Sequence, residues 1–246
     1  MEEYEAHAKK GIQLLEKEKF MDAIRELTEA VKLADGAQPE VIGELYSRLS
    51  QAYYALNPKD PANSEKYCLM SIDIHRKLND AAMVVMDLIN LAYIYGDSGS
   101  KQQAENAINE AIKTAGDSND PPLVTMARLT QAEFISKRPG GREKALEIYR
   151  DISQISKKSE DWEAYFEAQH GIATIMREMG NSDESYRVAY DSIEEIIKIS
   201  GTIKNQREKK SFKDSFSYLF DLASDIAMEN GDVDEAIKIA QKLAAE

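Results

Sequence analysis

Small and apolar residues recur along this chain at a helical spacing, and the spacing itself repeats. Each segment carries a small residue, a larger one four positions on, and a second small or aliphatic one three further. They read Ala23–Leu27–Ala30, Ser64–Cys68–Ser71, Ala104–Ile108–Ala111, Ala145–Tyr149–Ile152, Ser185–Ala189–Ser192 and Ala236–Ala240–Leu243. Their first members fall 41, 40, 41, 40 and 51 residues apart. Positions i, i+4 and i+7 share one face of a helix, so small groups there admit a neighbouring helix closely. A near-constant period of this size predicts stacked supersecondary units. Each segment is the second helix, B, of an antiparallel pair.

An amphipathic first helix, A, precedes each B. The third unit reads Leu88-x-x-Leu91-Ala92-x-x-Tyr95, with Ala104 twelve residues after Ala92. The second offers Tyr46-x-x-Leu49-Ser50-x-x-Tyr53, and the fifth Gln169-x-x-Ile172-Ala173-x-x-Met176. The first gives His7-x-x-Lys10-Gly11-x-x-Leu14, and the sixth Phe220-x-x-Ala223-Ser224-x-x-Ala227. The fourth, around Leu129-Thr130-Gln131-Ala132, fits with one extra residue in the Arg138-Pro139-Gly140-Gly141 turn.

These patterns resemble the tetratricopeptide (TPR) signature, the third unit having Leu88 for its Trp and Ala92 for its Gly. The period exceeds that family's common one of about 34 residues, and its terminal proline is absent. The resemblance implies an all-α, right-handed solenoid of about six helix pairs. The expected organisation is one domain over 1–246, in repeats near 1–38, 39–79, 80–118, 119–158, 159–200 and 201–246.

Punctuation agrees with the pairs. Ser100 with Gln103, and Asp232 with Glu235, read as capping boxes opening helix B. Gly180 and Gly231 suit the ends of helix A, where positive φ is wanted. The longer last interval holds a basic stretch, Thr202 to Lys213, expected as a long loop plus an N-terminal extension of the last helix A.

Charge narrows the partners. The net charge is −13, the wrong sign for neutralising phosphates, so neither a nucleic acid nor an anionic membrane is expected as partner. No run of 18 apolar residues and no signal-peptide pattern occurs, which makes the cytoplasm the expected compartment. The single cysteine, Cys68, excludes an internal disulfide and sits in an apolar stretch, as a buried structural thiol would.

Chemistry-bearing motifs are missing. Neither a G-x-x-x-x-G-K-[ST] loop nor G-x-G-x-x-G after a strand is present, so no nucleotide cofactor is expected. Three histidines and one cysteine are too few for a zinc site. Glu167-x-x-His170 matches half of a di-iron motif that would have to occur twice. The expectation is a protein that is not an enzyme, with no cofactor and no metal.

What remains is surface. Stacked pairs leave an inner face lined by one side of each helix A. Counting from the small residue of the signature selects Arg48, Gln51 and Tyr54 in the second unit and Asn90 and Tyr93 in the third. The fifth supplies His170, Thr174 and Arg177. Arg grips carboxylates with two hydrogen bonds, Asn and Gln pair with a peptide backbone, and Tyr adds amphipathic contact area. TPR domains that clamp chaperone C-termini resemble one another in a Lys/Asn/Asn/Lys/Arg set. Ala8 and Ile12 stand where its first two members would fall, so that partner is not expected. The function expected is a scaffold binding a protein or peptide on the concave face. Rival readings are a peptide or small-ligand sensor, and a self-assembling protein whose homo-oligomer forms through terminal repeats, with Ile237, Ile239, Ala240 and Leu243 as its apolar contact.

Overall fold

The computed structural model describes residues 3–244, which form thirteen α-helices and, among the described residues, no strand. The chain divides into two compact units, one reaching to Thr130 and the other starting at Gln131.

The first unit is built from pairs. α1 (Glu3–Glu16) packs on α2 (Phe20–Leu33), α3 (Pro39–Leu56) on α4 (Ala62–Lys77), and α5 (Ala81–Asp97) on α6 (Lys101–Ser118). α2 also packs on α3 and α4 on α5, and α3 touches both α1 and α5. The small–large–small residues explain the close pairing. Ala23, Leu27, Ala30, Ser64, Cys68, Ser71, Ala104, Ile108 and Ala111 are all buried. Gly11 is required where α1 crosses α2, because a Cβ there would lie 2.6 Å from Leu27 Cγ.

α7 (Pro121–Ser136) carries the chain from one unit into the other. The second unit contains α8 (Arg142–Ser159), α9 (Trp162–Glu178), α10 (Ser182–Ser200), α11 (Gln206–Asp214), α12 (Ser217–Glu229) and α13 (Val233–Ala244). α8 packs on α9, α9 on α10, α10 on α12, and α12 on α13. Here Gly171 is the notch, since its Cβ would fall 2.5 Å from Cζ of Tyr149 on α8.

Helix starts follow side-chain chemistry. Asp80 accepts from Met83 N at 3.0 Å, Asp161 from Ala164 N at 3.2 Å and Asp232 from Glu235 N at 3.0 Å, each satisfying an orphan amide of the first turn. Pro39 opens α3, where its missing N–H costs nothing. Gly180 and Gly231 adopt φ of +82° and +81° at the ends of α9 and α12, as the sequence predicts.

Three expectations need correction. Ser100 precedes α6 but makes no side-chain capping bond. The basic stretch is not an extension of the last A helix. Asn205 accepts from the amides of Arg207 and Glu208 and so starts a separate helix, α11, which ends before Phe216. In α13 the buried face is Ala236 and Ile239, while Ala240 is exposed. Ile239 therefore belongs to the core, and the exposed apolar residues at this end are Val233 and Ile237. The predicted spacing holds at Ala236 and fails at its second member, where Ile239 takes the buried place expected of Ala240.

Candidate functional site

The first unit is held by a buried polar hub. Asp87 on α5 is 1% exposed and accepts from Ser47 Oγ at 2.8 Å and Ser71 Oγ at 2.6 Å. His75 Nδ1 stands 3.0 Å from the same carboxylate. Ser71 Oγ also lies 2.9 Å from the Gly43 carbonyl, and Cys68 Sγ 3.2 Å from the Asp87 carbonyl. Polar groups from α3 and α4 thus converge on one side chain of α5. Gly43 makes room, because a Cβ there would sit 2.6 Å from His75 Nε2. Ser71 and Asp87 both address Nδ1 of His75, so the three do not form a nucleophile–base–orienter relay, in which the nucleophile must face the other ring nitrogen. Cys68 is buried, and desolvation with the Asp87 carboxylate beside it pushes its thiol far up, out of the reactive range.

Above this hub lies a groove of about 330 Å³ lined by Glu40, Glu44, Ser47, Arg48, Gln51, His75, Asp80, Met83 and Met86. Arg48 and Gln51, chosen by counting along helix A, meet here. Arg48 Nη1 donates to Gln51 Oε1 at 3.3 Å and Nη2 lies 3.6 Å from Glu44. Those lengths are slack, so Arg48 is weakly held and can exchange its partners for a ligand. Ser47 is committed to Asp87 instead. Tyr54 lies outside the lining and donates to Asp97 Oδ2 at 2.5 Å, tying α3 to α5. Asn90 and Tyr93 are half-buried on α5 and do not line the groove.

The second unit has a different interior. Phe166, Phe216 and Phe220 join Leu219, Ile193 and Ile196 in its core, with Trp162, Phe212 and Tyr218 partly buried against them. Phe166 and Phe216 stand 4.7 Å apart between ring centroids, and Phe212 lies 5.1 Å from Phe216. Beside this cluster is a groove of about 480 Å³ lined by Glu163, Glu167, His170, Phe212, Ser215, Phe216 and Tyr218. His170 packs edge-on against the Tyr218 ring at 4.9 Å. Burial, then the neighbouring Glu163 and Glu133, raise the Glu167 carboxyl above its ordinary range. Burial lowers the His170 imidazole, keeping it neutral to more acid pH than usual, and pushes the Tyr218 hydroxyl up.

His170 alone of the sequence-chosen residues lines this groove. One turn further along α9, the Thr174 hydroxyl is buried with no hydrogen-bond partner among the described residues. Arg177, a turn further again, is engaged. Its Nε and Nη2 hold Glu229 at 3.1 and 2.5 Å, and Nη1 lies 4.0 Å from Asp225, joining α9 to α12. That pairing holds the guanidinium above and Glu229 below their ordinary pKa ranges.

Three solved structures align with the repeats. A Podosopora anserina protein of the kinesin light chain type, with nearly identical TPR-like repeats, matches at TM-score 0.61 and 15% identity, covering 76% of this chain and 92% of that one. Aspartyl phosphate phosphatase F from Bacillus subtilis matches at TM-score 0.68 and 15% identity, covering 98% and 69%. The Rap conjugation gene regulator of plasmid pLS20, solved with the Phr* peptide, matches at TM-score 0.62 and 14% identity, covering 98% and 72%. The fold is that of TPR-like repeats. The family model for anaphase-promoting complex subunit 5 matches residues 52–138 of this TPR-like chain. No curated protein matches its sequence.

Sequence reasoning missed Phe212, Ser215, Phe216 and Tyr218, which face His170 across the second groove. They belong to the off-period stretch and to the start of α12, where the repeat offers no register. The one available signal was the recurrence of aromatics through Phe212, Phe216, Tyr218 and Phe220 just after the basic run. No described helix is long and apolar enough to cross a membrane.

Proposed function

We propose that this chain is a non-catalytic binding module that holds a peptide segment of a partner protein against the A-helix faces of its TPR-like pairs. The observation that carries this reading is the groove over α3 and α5, where the slackly held Arg48 and Gln51 stand beside Met83 and Met86. Polar groups able to pair with a backbone, next to flexible apolar side chains, suit an extended or helical peptide. The likeness to a Rap regulator solved with a peptide supports the same reading. It also favours a second one, in which peptide binding shifts the helix pairs and the chain acts as a sensor.

The test is selection of ligands from a random-peptide display library, followed by amide hydrogen exchange of the complex. Protection concentrated on α3 and α5, with binding lost in Arg48→Ala/Gln51→Ala, is the expected result. Protection confined to B helices or to the outer apolar residues Val233 and Ile237 would overturn it, the latter in favour of self-assembly. A reduction in radius of gyration by X-ray scattering on binding would select the sensor reading over a passive scaffold.

A further inference from the structure

We infer that the groove between α9 and the α11–α12 corner is a pocket for one basic side chain, ammonium or guanidinium, of the bound peptide. The inference rests on the peptide-binding reading above and deepens it.

Unpaired carboxylates are the first observation. Several acidic side chains on the A-helix faces of this protein have partners: Glu44 lies near Arg48, Asp97 accepts from Tyr54, and Glu229 and Asp225 flank Arg177. Glu163 and Glu167 have no such partner among the described residues. They sit one turn apart on α9, both face the groove, and no lysine or arginine lines it. Two like charges sharing a walled site repel one another, which a cation between them would relieve.

The walls supply the second. Phe212, Phe216 and Tyr218 surround the same space. Phe216 is fixed in the core by Phe166, and Tyr218 by His170, so the rings are held in place before any ligand arrives. Aromatic faces attract cations and accept the methylene stem of Lys or Arg, while the carboxylates take the charged head. A volume of about 480 Å³ admits such a side chain with the backbone on either side of it.

The third is the origin of the pocket. Phe212 and Ser215 come from the stretch that breaks the forty-residue period, and the Asn205 cap makes that stretch a separate helix. The insertion therefore adds two rims to a face that the repeat alone would leave open.

Pentapeptides that differ only at the central residue (Arg, Lys or norleucine, flanked by alanines and blocked at both ends) provide the test. Trp162, the only tryptophan, stacks on Phe166 behind the pocket and reports by fluorescence, while the His170 imidazole reports by NMR. The Arg or Lys peptide is expected to shift both signals at millimolar concentration, with the norleucine peptide at least about tenfold weaker. Glu167→Gln should weaken the basic peptide about tenfold, as loss of one charge-assisted contact does, whereas Lys113→Ala on α6, an exposed residue of the other unit, should leave it unchanged. Circular dichroism establishes that each variant is folded, and Glu163→Gln provides a second variant if Glu167→Gln is not. Equal response to norleucine, or affinity unchanged in both glutamine variants, would overturn the inference. So would free putrescine binding as tightly as the peptide, since the site would then serve a small amine. Display-selected peptides that protect α3 and α5 but leave the His170 and Trp162 signals still would refute this pocket alone. No peptide bound anywhere would refute the binding reading as well.

Discussion

The two units solve the same packing problem with opposite materials. Between α3, α4 and α5 the interior is stitched by a carboxylate: Asp87 gathers Ser47, Ser71 and His75 at full burial. Between α9, α10 and α12 the corresponding space is filled by rings, with Phe166, Phe216 and Phe220 at the centre. The contrast extends to the surface. In the first unit the buried charge is surrounded by donors and closed off. In the second, Glu163 and Glu167 have been left at the edge of an aromatic wall with nothing to neutralise them. A satisfied polar hub specifies one arrangement of three helices, because any slip strands a buried polar group. An aromatic cluster tolerates an inserted helix and keeps a partly open side, which is what a ligand pocket needs.

Removing the hub should have the largest effect. Asp87→Ala leaves His75 and the Ser47 hydroxyl buried without their acceptor and Ser71 with the Gly43 carbonyl alone, so urea denaturation should show a loss of about 3 kcal/mol or more. Asp87→Asn, which keeps the shape and part of the bonding, should lose less. Phe216→Ala should cost a similar amount, about 3 kcal/mol, through the cavity it opens beside Phe166. It should in addition abolish the Trp162 response to a basic peptide, which the Asp87 variants retain if the two units are independent in this respect. Next in size is Gly43→Ala. Its Cβ would press on the His75 ring at 2.6 Å, and overpacking of that kind costs about 1–3 kcal/mol. A neutral outcome would mean that His75 is looser than the hub implies.

The smallest thermal effect, and the most informative pH effect, belongs to the second groove. The Glu167 carboxyl is raised by burial, Glu163 and Glu133, so its charged form is the disfavoured one in the folded protein. Its linkage therefore runs against the usual acidic case. Stability attributable to this group is present below the ordinary Glu range and declines as pH rises through the raised value. Affinity for a cation moves the other way, growing over that same interval as the carboxylate forms. Within the groove, Glu163, His170 and Tyr218 also face Glu167; Tyr218 is raised and stays neutral, while His170 is lowered and any proton it gains at the acid end repels a cation, which acts in the same direction. Titration calorimetry with the arginine peptide from pH 4.5 to pH 7, an interval of roughly Glu to neutral values, should show affinity rising with pH.

Much of the architecture could be read from residue spacing, because helix pairing depends on small groups recurring at one place, and Ala23, Ser64, Ala104, Ala145, Ser185 and Ala236 mark it. The first groove was half legible for the same reason. Counting from the signature put Arg48 and Gln51 on the face that lines this groove, but periodicity says nothing about who pairs with whom. Arg177, drawn from the same count, spends its guanidinium on Glu229, and Tyr54 on Asp97. The polar hub was hidden because Asp87 and His75 look like ordinary helix-surface residues until Ser47 and Ser71 are brought to them from two other helices. The aromatic pocket was hidden because half of its wall lies outside the period altogether.

Glu167→Gln, measured for melting temperature and for affinity to the arginine pentapeptide on the same sample at pH 7, tests the contrast between the units most directly. The expected result is opposition: the melting temperature holds or rises as the repulsion with Glu163 and Glu133 is removed, while affinity falls about tenfold. A variant that melts lower and binds as before would contradict it, and would make Glu167 one more structural carboxylate like Asp87.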